Sequence, residues 1–231
     1  MIIRLFWQYI IAPNYFISYD DKFKKKLKWI GALFLIKIFI VVFITTLQYS
    51  FLENYLLLEI PKKIRSYTLD NNSIYLQFLK TVILSPILEE LYMRLPLKFS
   101  NTNISIASAV FIFYSLYYMK FHAFIAVCFA MIFGLMVYMV FKKNPFLSEF
   151  LSSFYKNKFK IIFYGFSLIF GLVHLRNYEI SYSNIFWVSI IIAPFFLSAL
   201  IYGYIRMRYS IKESIIMHSL YNLILFMSTK I

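Results

Sequence analysis

Glu89, Glu90 and Arg94 are the residues best placed to do chemistry, because they sit inside an otherwise apolar run, Ser85–Arg94. An ionisable side chain in a lipid-spanning helix costs several kcal/mol, ~2.5–3.5 on insertion scales. It persists where it faces a protein interior or a wet cavity and has a partner. On a helix, Glu90 and Arg94 are four apart, with the acid on the N-terminal side, the favoured order for an ion pair. Glu89 is turned roughly 100° away by the 3.6-residue period, so Arg94 is badly placed to neutralise it. The spacing therefore predicts a buried structural pair, Glu90–Arg94, and a carboxylate, Glu89, left over for chemistry.

Two of the three histidines also fall in apolar runs. His174 ends the run Phe170-Gly171-Leu172-Val173-His174, and His218 lies four residues before Asn222, so that these two share a helix face. Glu89, His174, His218 and Asn222 can converge in one polar pocket built by facing helices. Four readings are open on residue types alone. In the first, Glu89 and His174 hold and deprotonate a water that attacks a carbonyl, and His218 and Asn222 donate to the oxyanion. In the second, two histidines and a carboxylate bind Zn²⁺, although no HExxH spacing occurs and the ligands come from three helices. The third is an ion or proton relay. The fourth is polar residues that only join helices.

The elements that must carry these residues follow from composition. Of 231 residues, 61% are hydrophobic, far above the roughly 45–50% of soluble domains. The excess is gathered in long runs, so the fold class expected is an all-α, polytopic transmembrane helix bundle of about seven spans. They fall at about 29–52, 74–99, 103–119, 121–141, 159–175, 184–205 and 213–228. A net charge of +14 raises nucleic acid as a partner. It is rejected because the basic residues cluster beside apolar spans, where they orient helices and meet anionic membrane lipid. The single cysteine, Cys128, excludes an intramolecular disulfide.

Residues 1–28 read as an interfacial segment, broken by Pro13, and a basic anchor; residues 29–73 as the first span and a polar loop; residues 74–231 as the helix bundle that holds the site. The N-terminus lacks the pattern of a secretory signal. Lys37, inside the first span, is expected to snorkel or to mark a later helix start. Pro86 should bend the second span, and bent helices at membrane depth line cavities. The third and fourth spans form a tight hairpin around Lys120, with Ala126, Ala130 and Gly134 as a small-residue packing face. Residues 142–160 read as a basic loop. Simple alternation leaves Glu89 and His174 offset in depth by on the order of 10 Å at ~1.5 Å per residue. His122, at the hairpin tip, reads as interfacial; Tyr92 and Tyr178 are near enough to reach the pocket, but with aromatics at 22% of the chain the favoured reading for each is packing or facing lipid. The basic segments 22–28, 142–160 and 206–212 put the N-terminus on the cytoplasmic side, against the exception of Lys62, Lys63 and Arg65. Usage rich in Ile, Lys, Phe, Tyr and Asn suggests a bacterial chain, and hence the cytoplasmic membrane.

The sequence resembles the CPBP family of intramembrane proteases, the CAAX-protease and bacteriocin-processing group also called Abi. Glu89, Glu90 and Arg94 match its EExxxR motif, Phe170 and His174 its FxxxH, and His218 and Asn222 its HxxxN. Each motif is weak alone; all three in order, each in its own apolar span, are specific. The likeness covers roughly residues 75–228. It implies a glutamate-dependent, metal-independent endopeptidase with no cofactor, acting on a peptide or lipidated protein substrate. By resemblance, Glu89 and His174 activate the water, His218 and Asn222 form the oxyanion site, and Glu90, Arg94 and Phe170 support them. Two departures stand out. The gap from Arg94 to His174 is long, so that residues 103–141 look like an insertion, and Leu95-Pro96 follow the arginine where many members carry glycine. The alternatives kept beside this reading are a non-catalytic membrane scaffold or bacteriocin immunity protein, and a zinc-dependent membrane protease.

Overall fold

The computed structural model describes residues 2–15, 21–47, 50, 61–62, 64, 73–182 and 185–228. The end of the first expected span at Leu52, and most of the polar loop with Lys63, Arg65 and Asp70–Asn72, lie outside the described residues. Among the described residues the chain forms helices and no strand. They are α1 (Ile2–Ile11), α2 (Phe23–Thr46), α3 (Ile74–Phe78), α4 (Ser85–Met93), α5 (Asn101–Tyr118), α6 (Ala123–Lys143), α7 (Pro145–Asn157), α8 (Phe159–Val173), α9 (Trp187–Arg208) and α10 (Ile211–Ser228). A π-helical segment, Leu79–Leu84, joins α3 to α4, and short 3₁₀ turns follow α4 (Leu95–Leu97) and α8 (His174–Asn177). Among the described residues, four helical stretches are long and apolar enough to cross a membrane: Phe23–Thr46, Ala123–Lys143, Phe159–Asn177 and Trp187–Arg208.

The bundle is built around α9. Every residue from Ser198 to Arg208 is buried, the pattern of a helix enclosed on all sides. Phe6 and Tyr9 of α1, Trp29 and Leu33 of α2, and Phe159 and Phe163 of α8 pack on it in one cluster with Tyr202, Tyr204 and Ile205. α1 is ten residues long, about 15 Å at 1.5 Å per residue, too short to span. It is nonetheless docked: Tyr164 donates to the Ile10 carbonyl, and the Phe6 and Tyr204 rings meet edge to face at 5.3 Å.

Several sequence expectations are corrected. The basic loop 142–160 contains a helix, α7, because Asn144 caps the Leu147 amide at 3.1 Å and Pro145 fits the first turn. α2 begins at Phe23, six residues before Trp29, and takes in most of the lysine run. Lys37 neither snorkels nor starts a helix; it is buried in mid-α2. The hairpin is as tight as expected. Lys120 adopts φ 62°, and the Phe121 amide donates back to the Leu116 carbonyl at 3.1 Å, a left-handed helix stop on a residue other than glycine.

Two contacts hold the bundle and are open to test. Gly134 brings α6 onto α5: a Cβ there would lie 2.8 Å from the Ala109 Cβ and 3.2 Å from the Ser105 carbonyl. Gly134→Leu is expected to destabilise the protein by about 1–3 kcal/mol, read as a lower unfolding midpoint in detergent. Asp21, just before α2, lies 2.6 Å from Lys25 and 2.8 Å from Arg208 at the end of α9, and accepts from Tyr209 at 3.0 Å. Lys25 chiefly, with Arg208 and Tyr209, holds its carboxyl down at about 2. The carboxyl is therefore depressed on folding. Its contribution is complete above the usual carboxylate range and is lost as pH falls through about 2. Unfolding midpoints measured from pH 5 to pH 2 should fall in the wild type, and less steeply in Asp21→Asn.

Candidate functional site

Glu90 is the most enclosed charge among the described residues, 0% exposed. Its Oε1 lies 3.7 Å from Arg94 Nη1 and 3.0 Å from His218 Nδ1, and Ser214 donates to its Oε2 at 2.6 Å. Arg94, 2% exposed, lies over the Phe170 ring at 3.9 Å, and its terminal nitrogens make no hydrogen bond among the described residues. An aromatic face thus supplies part of what hydrogen bonds do not. Arg206 donates to the Arg94 carbonyl at 3.3 Å and so fixes the turn that follows.

Phe170 shows why an aromatic four residues before a histidine is useful. Its carbonyl lies 2.7 Å from His174 Nδ1. A carbonyl can only accept, so Nδ1 carries the proton and Nε2 is left with its lone pair. The Phe170 ring meets the His174 ring at 4.6 Å and the His218 ring at 6.1 Å. Phe195 also stacks on His174, at 4.1 Å. His218 is oriented by the same logic. Nδ1 donates to Glu90, Tyr202 stacks on the ring at 4.6 Å, and Nε2 lies 3.8 Å from Glu89 Oε2, beyond direct hydrogen bonding.

Glu89 accepts from Ser85 at 2.5 Å and lines a cavity of ≈ 450 Å³ together with His174, His218 and Asn222. The depth offset expected from simple alternation does not separate Glu89 from His174. Pro86 and the π-helical segment alter the path of the chain before Glu89, and α8 ends immediately before His174. Tyr178 lines the cavity and Tyr92 does not; Tyr92 packs on Tyr114 at 5.4 Å. His122 is exposed at the hairpin.

Asn222 is committed to the backbone. Its Nδ2 donates to the Thr81 carbonyl at 2.9 Å. In an α-helix that carbonyl would take the Ser85 amide, but this amide reaches Lys80 instead. In the π register its partner would be residue 86, and Pro86 has no amide. Asn222 satisfies an acceptor that the bend leaves without a backbone donor, and one of its two amide hydrogens remains for the cavity.

Residues that motif spacing does not assign to the site are Ser85, Ser214, Tyr202 and Lys37. The two serines carry a legible signal: each lies four residues before a named acid or base, on the same helix face. Tyr202 and Lys37 have no such neighbour.

The elements define a helical membrane protein in which α4, the turn after α8 and α10 bring Glu89, two histidines and an asparagine to one cavity, with Glu90 buried against His218. The family model of the type II CAAX prenyl endopeptidases, Rce1-like, matches residues 145–224. This is consistent with a CPBP-family intramembrane protease, and the Rce1-like family are hydrolases acting as peptidases. The match takes in Phe170, His174, His218 and Asn222. Glu89, Glu90 and Arg94 lie before it, and the fold joins them to it. Neither the curated proteins nor the solved structures give a match.

The Thr81–Asn222 bond can be tested by a double substitution. Asn222→Leu should cost about 1 kcal/mol by leaving a half-buried carbonyl without its side-chain donor. Adding Pro86→Ala returns an amide at position 86 and should recover part of the loss. Unfolding midpoints of the two single variants and the double variant measure the coupling.

Proposed function

We propose that this chain is a glutamate-dependent intramembrane endopeptidase that hydrolyses a peptide bond by a water held between Glu89 and His174. The observation that carries the reading is that Glu89, His174, His218 and Asn222, from three helices, line one cavity, three of them within the matched family region. Glu89 takes a proton from the water, and the resulting hydroxide attacks the carbonyl carbon. His174, with its lone pair at Nε2, orients the water. The proton on Glu89 then passes to the leaving amine as the tetrahedral intermediate collapses, so that the carboxylate is restored. His218 faces the developing oxyanion. Glu90 fixes the ring through Nδ1 and so directs Nε2 toward the cavity as one oxyanion contact, and the free amide hydrogen of Asn222 is the second. The substrate is a peptide or a lipidated protein segment that enters from the membrane or its cytoplasmic face, and the chain resides in the cytoplasmic membrane of a bacterium with its N-terminus inside.

The test compares wild type with Glu89→Gln and His174→Ala in the native cell, reading peptide termini in membrane and secreted fractions by mass spectrometry. Glu89→Gln is nearly isosteric, so a scaffold keeps its function while a protease loses a factor of about 10²–10⁴ in turnover. Termini absent from both variants support the reading and supply a substrate. If both variants fold and every terminus is unchanged, the protease reading fails. Inactivation of the purified wild type by a chelator, reversed by zinc, would favour the metal-dependent alternative.

A further inference from the structure

Lys37 belongs to α2, outside all three motifs and outside the matched region. It is 2% exposed and lines the same cavity as Glu89 and His174. Val41 and Thr45, four and eight residues on, line it too, so one stripe of α2 forms a wall of the site. The ammonium donates to the Tyr202 hydroxyl and sits over the Tyr221 ring at 3.0 Å and the Tyr202 ring at 4.5 Å. Tyrosines surround the cation, and no carboxylate among the described residues lies within 4 Å of it. Glu90 already holds Arg94, His218 and Ser214, while Glu89 accepts from Ser85.

A lysine at membrane depth is expected to have a partner. Here it faces a cavity large enough for a peptide end, and an ammonium has three donors of which the Tyr202 hydroxyl takes one. We propose that Lys37 is a specificity-determining residue that binds a carboxylate of the peptide occupying the cavity, either a terminal α-carboxylate or an acidic side chain. The proposal rests on the peptidase reading for its ligand class. It predicts that the site selects peptides by an anionic group as well as by apolar contacts, with α2 carrying that selection. Tyr202 stacks on His218, so an occupied Lys37 also lies one ring away from the proposed oxyanion donor.

The experiment measures binding and cleavage separately, with the full chain in nanodiscs. Three fluorescent tetrapeptides headed by farnesyl-cysteine serve as probes: a free acid, its C-terminal amide, and an amide whose last residue is glutamate. Affinities are measured on Glu89→Gln, which removes turnover, with and without Lys37→Met or Lys37→Gln. The free acid should bind tighter than the neutral amide by on the order of tenfold to a hundredfold, and both Lys37 substitutions should abolish the difference while leaving amide binding unchanged. Tight binding of the glutamate amide assigns the site to any carboxylate; weak binding assigns it to the chain terminus. Equal binding of acid and amide, binding of none of the probes, or a preference that survives loss of Lys37 overturns the proposal. So does an equal loss for acid and amide, which marks Lys37 as only a support for Tyr202. Cleavage by the wild-type protein is followed in parallel: carboxylate-selective binding without cleavage would leave Lys37 standing and count against the peptidase reading.

Discussion

The site depends on a buried carboxylate that must not be left alone. Glu90 has no exposure and three partners, Arg94, His218 and Ser214, drawn from its own helix and from α10. Removing one partner of a buried pair typically costs about 3–5 kcal/mol, because the remaining charge is uncompensated. That penalty ties the register of α10 to that of α4. It also makes Glu90 a different kind of group from its neighbour. Adjacent on the chain, the two acids point to different surroundings: one is saturated with donors, and the other faces the cavity with one hydroxyl. The proposed chemistry needs this division, since a carboxylate already holding three partners has little capacity to take a proton from water.

The aromatic residues carry the second layer of the same arrangement. Phe170 serves three groups at once, with its ring under Arg94 and in contact with both histidines, and its carbonyl fixing His174. Tyr202 does the same between His218 and Lys37. In a medium without water to solvate cations, ring faces are an available substitute. They also define rotamers, so the imidazoles are oriented before any ligand arrives.

Much of this was legible because helix periodicity is simple. The Glu90–Arg94 spacing, the separation of Glu89, and the shared face of His218 and Asn222 all follow from 3.6 residues per turn. The apolar runs announced a helical bundle, and the small residues of α6 announced its close contact with α5. What periodicity does not encode is where a side chain points once helices are packed. Lys37 is a lone lysine in an apolar run whether it snorkels or faces a cavity, and only the position of α2 against α9 decides. The spacing marks Asn222 as an oxyanion donor, but its additional bond to Thr81 depends on a π-helical register that no periodic pattern reveals. The helix at 145–157 was hidden by its lysine-rich surroundings, although Asn144-Pro145 is a start signal.

The proposed water-activating pair sits where helical regularity fails. Glu89 follows a π segment and a proline, and His174 stands at the point where α8 gives way to a 3₁₀ turn. Departures of this kind free backbone groups, and at membrane depth those groups must be satisfied or must border a polar space. Asn222 satisfies one of them. The π segment also shifts the helix face by the extra residue in its turn, which alters the direction in which everything beyond Pro86 points. A straight α-helix would keep Thr81, Ser85 and Glu89 in a stripe paired by its own amides, with no acceptor left for Asn222 to hold. The bend thus supplies both the anchor for α10 and the redirection of Glu89, so one local irregularity joins the two helices that carry the acids and the second histidine.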